Sequence, residues 1–161
     1  MDDGPVVNAS PLIYLSRAGH LDLLQIAGKS IFVPESVILA IGAKGTGDAT
    51  VLAVASASWL TRVPRPAIPA RVAAWDLGAG EASVIAWAIG HPGATAILDD
   101  LQARRCAATL GVPCIGILGV VLAAKRKGRI SAARPVVEEL VAHGMYLSDG
   151  VIARALSLVG E

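Results

Sequence analysis

The sequence predicts an α/β fold with a parallel sheet covered by helices on both faces. Three observations lead there. The short apolar runs Val6-Val7, Ile31-Phe32-Val33 and Ala94 to Leu98 are near-continuous rather than alternating, as strands buried on both faces are. They alternate with longer segments that start at Ser, Pro or Asp and stop at Gly, the punctuation of helices. With 161 residues, 54% of them hydrophobic and 17% charged, and a mean hydropathy of +0.61, the chain suits one core-rich domain spanning 1–161.

Each element follows from local chemistry. Pro5 to Asn8 reads as a first strand, and Ser10-Pro11 before Leu12-Ile13-Tyr14-Leu15 reads as an N-cap with proline at the first helical position. A short helix is expected over Leu21 to Ile26, then a strand from Ser30 to Val33 and a helix from Glu35 to Ile41 after Pro34. Residues 42–47, Gly-Ala-Lys-Gly-Thr-Gly, form a loop; they lack GxxxxGK[ST] and follow a helix, so a phosphate cradle is disfavoured. Asp48 is expected to cap a helix to Ala57, and Ser58 to Val63 to form an edge strand.

Prolines 64, 66 and 69 stiffen a connector with one short helix, Ala70 to Trp75. Glu81 is expected to open a buried helix running to Ile89, broken by Gly90-His91-Pro92-Gly93. Ala94 to Leu98 is then a buried strand ending on Asp99-Asp100. A helix from Gln102 to Leu110 stops at Gly111, a last strand covers Val112 to Ile115, and a helix from Ile117 to Lys127 closes at Gly128. Helices from Ala132 to Ala142 and from Asp149 to Val159 complete the chain, the second capped by Ser148 or Asp149.

The totals exclude several classes. No apolar stretch reaches the ~18 residues a bilayer span needs, so no membrane role is expected. Met1-Asp2-Asp3 carries the wrong charge for a secretory leader, and a cytoplasmic protein is the expectation. Cys106 and Cys114 fit no zinc spacing and read as free thiols. The apolar excess points to helices buried on more than one side or to a hydrophobic oligomer face. Net charge is only +1, yet no acid occurs between Asp100 and Glu138, where Arg104, Arg105, Lys125, Arg126 and Lys127 are found. A basic segment after an acidic one suits steering of a polyanion.

The chemistry concentrates at strand ends, where open α/β sheets bind ligands. One aspartate of Asp99-Asp100 suffices to cap the next helix, which leaves the other for metal or catalysis. Glu81 sits at a helix start, stabilised by the dipole, and its preceding glycines allow close approach. Clustered carboxylates repel unless a cation lies between them, and hard oxygens with retained waters suit Mg²⁺ or Mn²⁺. Asn8 closes the first strand; Ser10 is read first as a cap whose hydroxyl also reaches the site. His20, His91 and His143 read as surface loop residues. Trp59, Trp75 and Trp87 read as core or interface.

Five segments taken together resemble PIN-domain proteins: Val7-Asn8-Ala9-Ser10-Pro11-Leu12-Ile13, Val33-Pro34-Glu35-Ser36-Val37, Gly80-Glu81-Ala82, Leu98-Asp99-Asp100, and Gly111-Val112 with Gly116-Ile117-Leu118-Gly119-Val120. The branch is prokaryotic and of unknown function, often the presumed VapC-type toxin of a toxin–antitoxin pair. The resemblance covers roughly residues 5 to 160. It implies a three-layer α/β/α sandwich and about four acids that hold Mg²⁺ or Mn²⁺ to hydrolyse RNA. The family's third and fourth acids fall on Glu81 and Asp100, with Asp99 adjacent, and its serine falls on Ser10. The chain departs twice from the pattern: Asn8 stands where the first strand usually ends in Asp, and Ala40 stands near the expected second acid.

The first expectation is therefore a metal-dependent endoribonuclease with Glu81, Asp99 and Asp100 as ligands, Asn8 and Ser10 assisting, and Arg104, Arg105, Lys125, Arg126 and Lys127 against RNA. The alternative is a degenerate PIN fold that binds without cutting. An aspartyl-phosphate phosphatase would need DxD where Asn8-Ala9-Ser10 stands. Composition and resemblance together suggest a homodimer with a cognate antitoxin.

Overall fold

Residues 4–43 and 49–161 are described by a computed structural model. Five strands form one sheet: β1 (Val6–Val7), β2 (Ile31–Pro34), β3 (Leu60–Val63), β4 (Ala96–Ile97) and β5 (Cys114–Ile115). The order is β3-β2-β1-β4-β5 and every pairing is parallel. Every residue of β1, β2 and β4 is buried. Successive strand side chains point to opposite faces, so both faces are covered and the architecture is an α/β/α sandwich. β3 and β5 are the edges, and their partial exposure fits that place.

The helices are α1 (Ala9–Arg17), α2 (Glu35–Ala43), α3 (Ala49–Ser56), α4 (Ala70–Ala73), α5 (Ala79–Gly90), α6 (Leu101–Thr109), α7 (Ile117–Arg126), α8 (Arg134–Ala142) and α9 (Asp149–Ser157), with a 3₁₀ segment over Leu21–Ile26. α5 is buried along most of its length, with Val84 and Ile85 fully inaccessible, and packs on α2, β1 and β2. α7 packs on the 3₁₀ segment, α8 and α9. Gly111 (φ 73°) and Gly128 (φ 74°) take the left-handed backbone that ends α6 and α7. Ser148 caps α9 through its hydroxyl, which accepts from Val151 N at 3.2 Å.

Several expectations shift. Helix α1 starts at Ala9, so Asn8 takes the N-cap position and Ser10 lies inside the first turn instead of capping it. The helix can start early because the strand is only two residues long and Asn8 already has extended backbone (φ −87°, ψ 174°). α5 begins at Ala79, two residues before Glu81, since glycine at position 78 takes the N-cap. His20 and His91 are half-buried rather than surface loop residues; His91 stacks on Trp87 at 3.9 Å, where the indole covers its ring. Cys106 and Cys114 are free thiols, as expected. The expected cap at Asp48 and most of the 42–47 loop lie outside the described residues.

Candidate active site at the carboxyl edge of the sheet

From the central strand β1 the chain moves to β2 and β3 on one side, then crosses to β4 and β5 on the other. The strand order reverses between β1 and β4; in open α/β sheets the loops leaving two such strands part, and the crevice at that edge is where ligands bind. The register pairs Val7 with Ile97, and Asn8 N donates to Ile97 O at 3.1 Å. Asn8 and Asp99 leave adjacent strands at this switch point.

Asn8 is 1% exposed, and its carboxamide oxygen Oδ1 is buried with no hydrogen-bond partner. It makes no side-chain cap for α1. A buried acceptor left unsatisfied costs about 1–3 kcal/mol, so the position calls for a donor or a cation. Gly80 stands against it: a Cβ there would lie 2.9 Å from Asn8 Oδ1. The glycines ahead of Glu81 thus serve close approach within the chain. Glu81, half-buried, is the third residue of α5, and its Oε2 folds back to 2.5 Å from where a Cβ on Gly78 would be. That is the favoured place for a carboxylate at a helix start. Ser36 donates to Ser83 at 2.6 Å, both buried, and ties α2 to α5 one turn beyond Gly80. Nothing in the spacing of the two serines had signalled this bond.

The two aspartates divide the work. Asp100 is exposed and caps α6, its Oδ2 accepting from Ala103 N at 2.9 Å. Asp99 is half-buried; its Oδ1 accepts from Ile117 N at 3.0 Å, while Oδ2 is buried without a partner. Burial pushes the Asp99 carboxyl up from its ordinary value, and the Ile117 N–H and the Arg104 charge pull it partly back. Ser10 is half-buried in the first turn of α1. Ala40 is half-buried in α2 and brings no carboxylate, and Glu35 is turned towards Arg62 at 3.9 Å.

The basic residues separate. Arg104 and Arg105 lie in the first turns of α6, near the crevice; Arg104 Nη1 donates to Leu98 O at 3.3 Å and Arg105 Nη1 to Gln102 Oε1 at 3.4 Å. α7 starts at the crevice side, after Gly116, and runs away from it for about 15 Å. Its far end carries Lys125, paired with Glu161 at 2.8 Å, and leads to Lys127, whose Nζ donates at 3.4 Å to Ile26 O just ahead of β2. Lys125, Arg126 and Lys127 therefore stand at the opposite rim from Asn8 and Asp99. An apolar groove of about 590 Å³ between α2, α3 and β3 is lined by Val33, Ile38, Val54 and Leu60 and includes none of the acids.

Among the described residues, no three His, Cys, Asp or Glu side chains converge on a common point able to hold a metal ion. Two buried oxygens at this edge, Asn8 Oδ1 and Asp99 Oδ2, have no hydrogen-bond partner, and Glu81 stands on the helix whose Gly80 abuts Asn8. Such a set carries little charge and suits an octahedral ion that keeps most of its waters.

Comparison with known families gives a match to one described as a PIN domain, over residues 5–161. No curated protein and no solved structure matches the chain.

Proposed function

The chain belongs to the PIN-domain family, a nuclease-type fold, and on that premise we propose that it is a divalent-cation-dependent ribonuclease with a reduced donor set, acting as the toxin of a toxin–antitoxin pair in the cytoplasm. The observation that carries this reading is the pair of buried, unpartnered oxygens at the switch point, Asn8 Oδ1 and Asp99 Oδ2.

Asn8, Asp99 and Glu81 would hold Mg²⁺ or Mn²⁺. Once bound, such an ion activates water and stabilises the charge that builds on the phosphoryl and leaving oxygens. Asp100 holds the start of α6 directly after Asp99, and Ser10, in the first turn of α1 after Asn8, would assist. Arg105, exposed on α6, takes the phosphate backbone of RNA. The arrangement is neutral at Asn8, so cation affinity is lower than in a four-carboxylate site.

Mn²⁺ calorimetry on the wild-type chain, Glu81→Ala, Asp99→Ala and Asp100→Ala, together with cleavage of a mixed RNA pool, tests it. Weak binding abolished by Asp99→Ala and weakened by Glu81→Ala is expected; three variants that bind like wild type would end the assignment. A second reading, a PIN fold that binds RNA without cutting, is favoured by the absence of carboxylates at Asn8 and Ala40; metal binding without cleavage of the pool would select it. Leu39 and Leu52, 66% and 72% exposed on α2 and α3, support a homodimer or antitoxin face. Light scattering of the purified chain reads the first, and a small charged protein encoded next door the second.

A further inference from the structure

Arg104 is the one arginine of the basic segment whose head group turns back into the crevice wall. Its Nη1 donates to Leu98 O at 3.3 Å, across six residues of chain. Next to it, Asp99 Oδ1 receives the Ile117 N–H at 3.0 Å. Gly116 makes this possible. A Cβ on Gly116 would lie 2.5 Å from Arg104 Nη1 and 2.8 Å from Asp99 Oδ1, so guanidinium and carboxylate share the slot that the missing side chain leaves. Leu98 is fully buried, so its carbonyl marks a rigid strand end. With Oδ1 held by the backbone and the guanidinium on the same side, the unpartnered Oδ2 is left as the free donor.

We propose that Arg104 is a positioning residue: it fastens the end of β4 to α6 in the Gly116 slot and so fixes which Asp99 oxygen is presented to the cation. The inference rests on the cation reading above. It assigns Arg104 to the carboxylate's support rather than to the RNA surface. It also opposes simple electrostatics, because a fixed positive charge beside a cation site repels the ion, and its removal would then tighten binding.

The experiment is Mn²⁺ calorimetry on full-length wild type, Arg104→Ala, Arg104→Lys and Gly116→Ala, with amide hydrogen exchange at Ile117 measured in the metal-free proteins. Arg104→Ala and Gly116→Ala should each weaken Mn²⁺ binding about tenfold, the usual effect of removing a ligand's outer support. Arg104→Lys, which keeps a donor for the Leu98 carbonyl, should recover most of it. Exchange at Ile117 should quicken about tenfold in Arg104→Ala as the hydrogen bond to Asp99 loosens, and stay slow in Arg104→Lys. Equal or tighter Mn²⁺ binding in Arg104→Ala overturns the proposal, as does loss of RNA binding alone. If wild type binds no Mn²⁺, the cation reading fails by itself; Ile117 exchange then decides the role of Arg104, and unchanged exchange overturns it.

Discussion

Asn8 and Gly80 stand against each other: the carboxamide oxygen of Asn8 lies 2.9 Å from where a Gly80 Cβ would stand, and it has no hydrogen-bond partner. Asn8→Asp adds a charge to the donor set and should raise Mn²⁺ affinity about tenfold or more, read by calorimetry. Without metal the same variant should lose about 1–3 kcal/mol of stability, because a buried carboxylate there has no partner either. Gly80→Ala sets helix propensity against crowding. Alanine gains up to about 1 kcal/mol in a helix, but a Cβ 2.9 Å from buried Oδ1 forces a shift costing about 1–3 kcal/mol. The net expectation is a lower melting temperature.

Asp99 holds a charge where burial disfavours it. An acid whose carboxyl is raised in the folded state costs stability while ionised, and the cost fades as pH falls through that raised value towards the ordinary 3.8. Asp99→Asn should therefore raise the melting temperature of the metal-free chain at pH 7. The gain should shrink in acid, and Mn²⁺ binding should be lost at all pH values. Melting curves from pH 3 to pH 8 with and without Mn²⁺ measure both.

Asp100 beside it behaves as a cap. Asp100→Ala should cost about 1 kcal/mol through loss of the bond from Ala103 N, while Asp100→Asn, which still accepts that bond, should cost a few tenths. If Mn²⁺ affinity follows stability in these two variants, Asp100 acts through α6; a loss in Asp100→Asn larger than in Asp99→Asn would make Asp100 the ligand.

Glu161 fastens α7 to α8. Its carboxylate accepts from Lys125 Nζ at 2.8 Å and from the backbone of Ala133 and Arg134 at 2.7 and 3.0 Å, and these bonds hold its pKa down to about 2 from 4.5. The stabilisation is fully present above pH 4.5 and is lost as pH falls through about 2. Glu161→Gln should melt below wild type at neutral pH, with the difference closing between pH 4.5 and 2. A difference independent of pH would show that packing, not charge, holds the residue.

The order of elements was legible because parallel strands buried on both faces are written as unbroken apolar runs, and glycines and prolines mark where helices stop. Val6-Val7, Ile31 to Val33 and Ala96-Ile97 all carry that signal, and so does the acid pair after Leu98. The start of α1 was misplaced because Ser10-Pro11 is a strong local signal, but a short strand and the extended backbone of Asn8 overrode it. The basic segment misled in part for a different reason. Proximity in sequence says nothing about which end of a helix meets the crevice, so Lys125 to Lys127 end up at the far rim.

Resemblance pointed to the PIN family; by itself the sequence determined a wound α/β domain with a polar rim at the ends of its first and fourth strands. These follow from periodicity and residue type, which are local properties. Only the tertiary structure decided the local arrangement: Asp99 with one buried, unpartnered oxygen and Asp100 as helix cap, Gly80 and Gly116 as clearances for Asn8 and Arg104, Ser36 bonded to Ser83. That arrangement depends on which atoms from distant segments come within a few ångströms of each other, and side-chain spacing along the chain does not encode that distance.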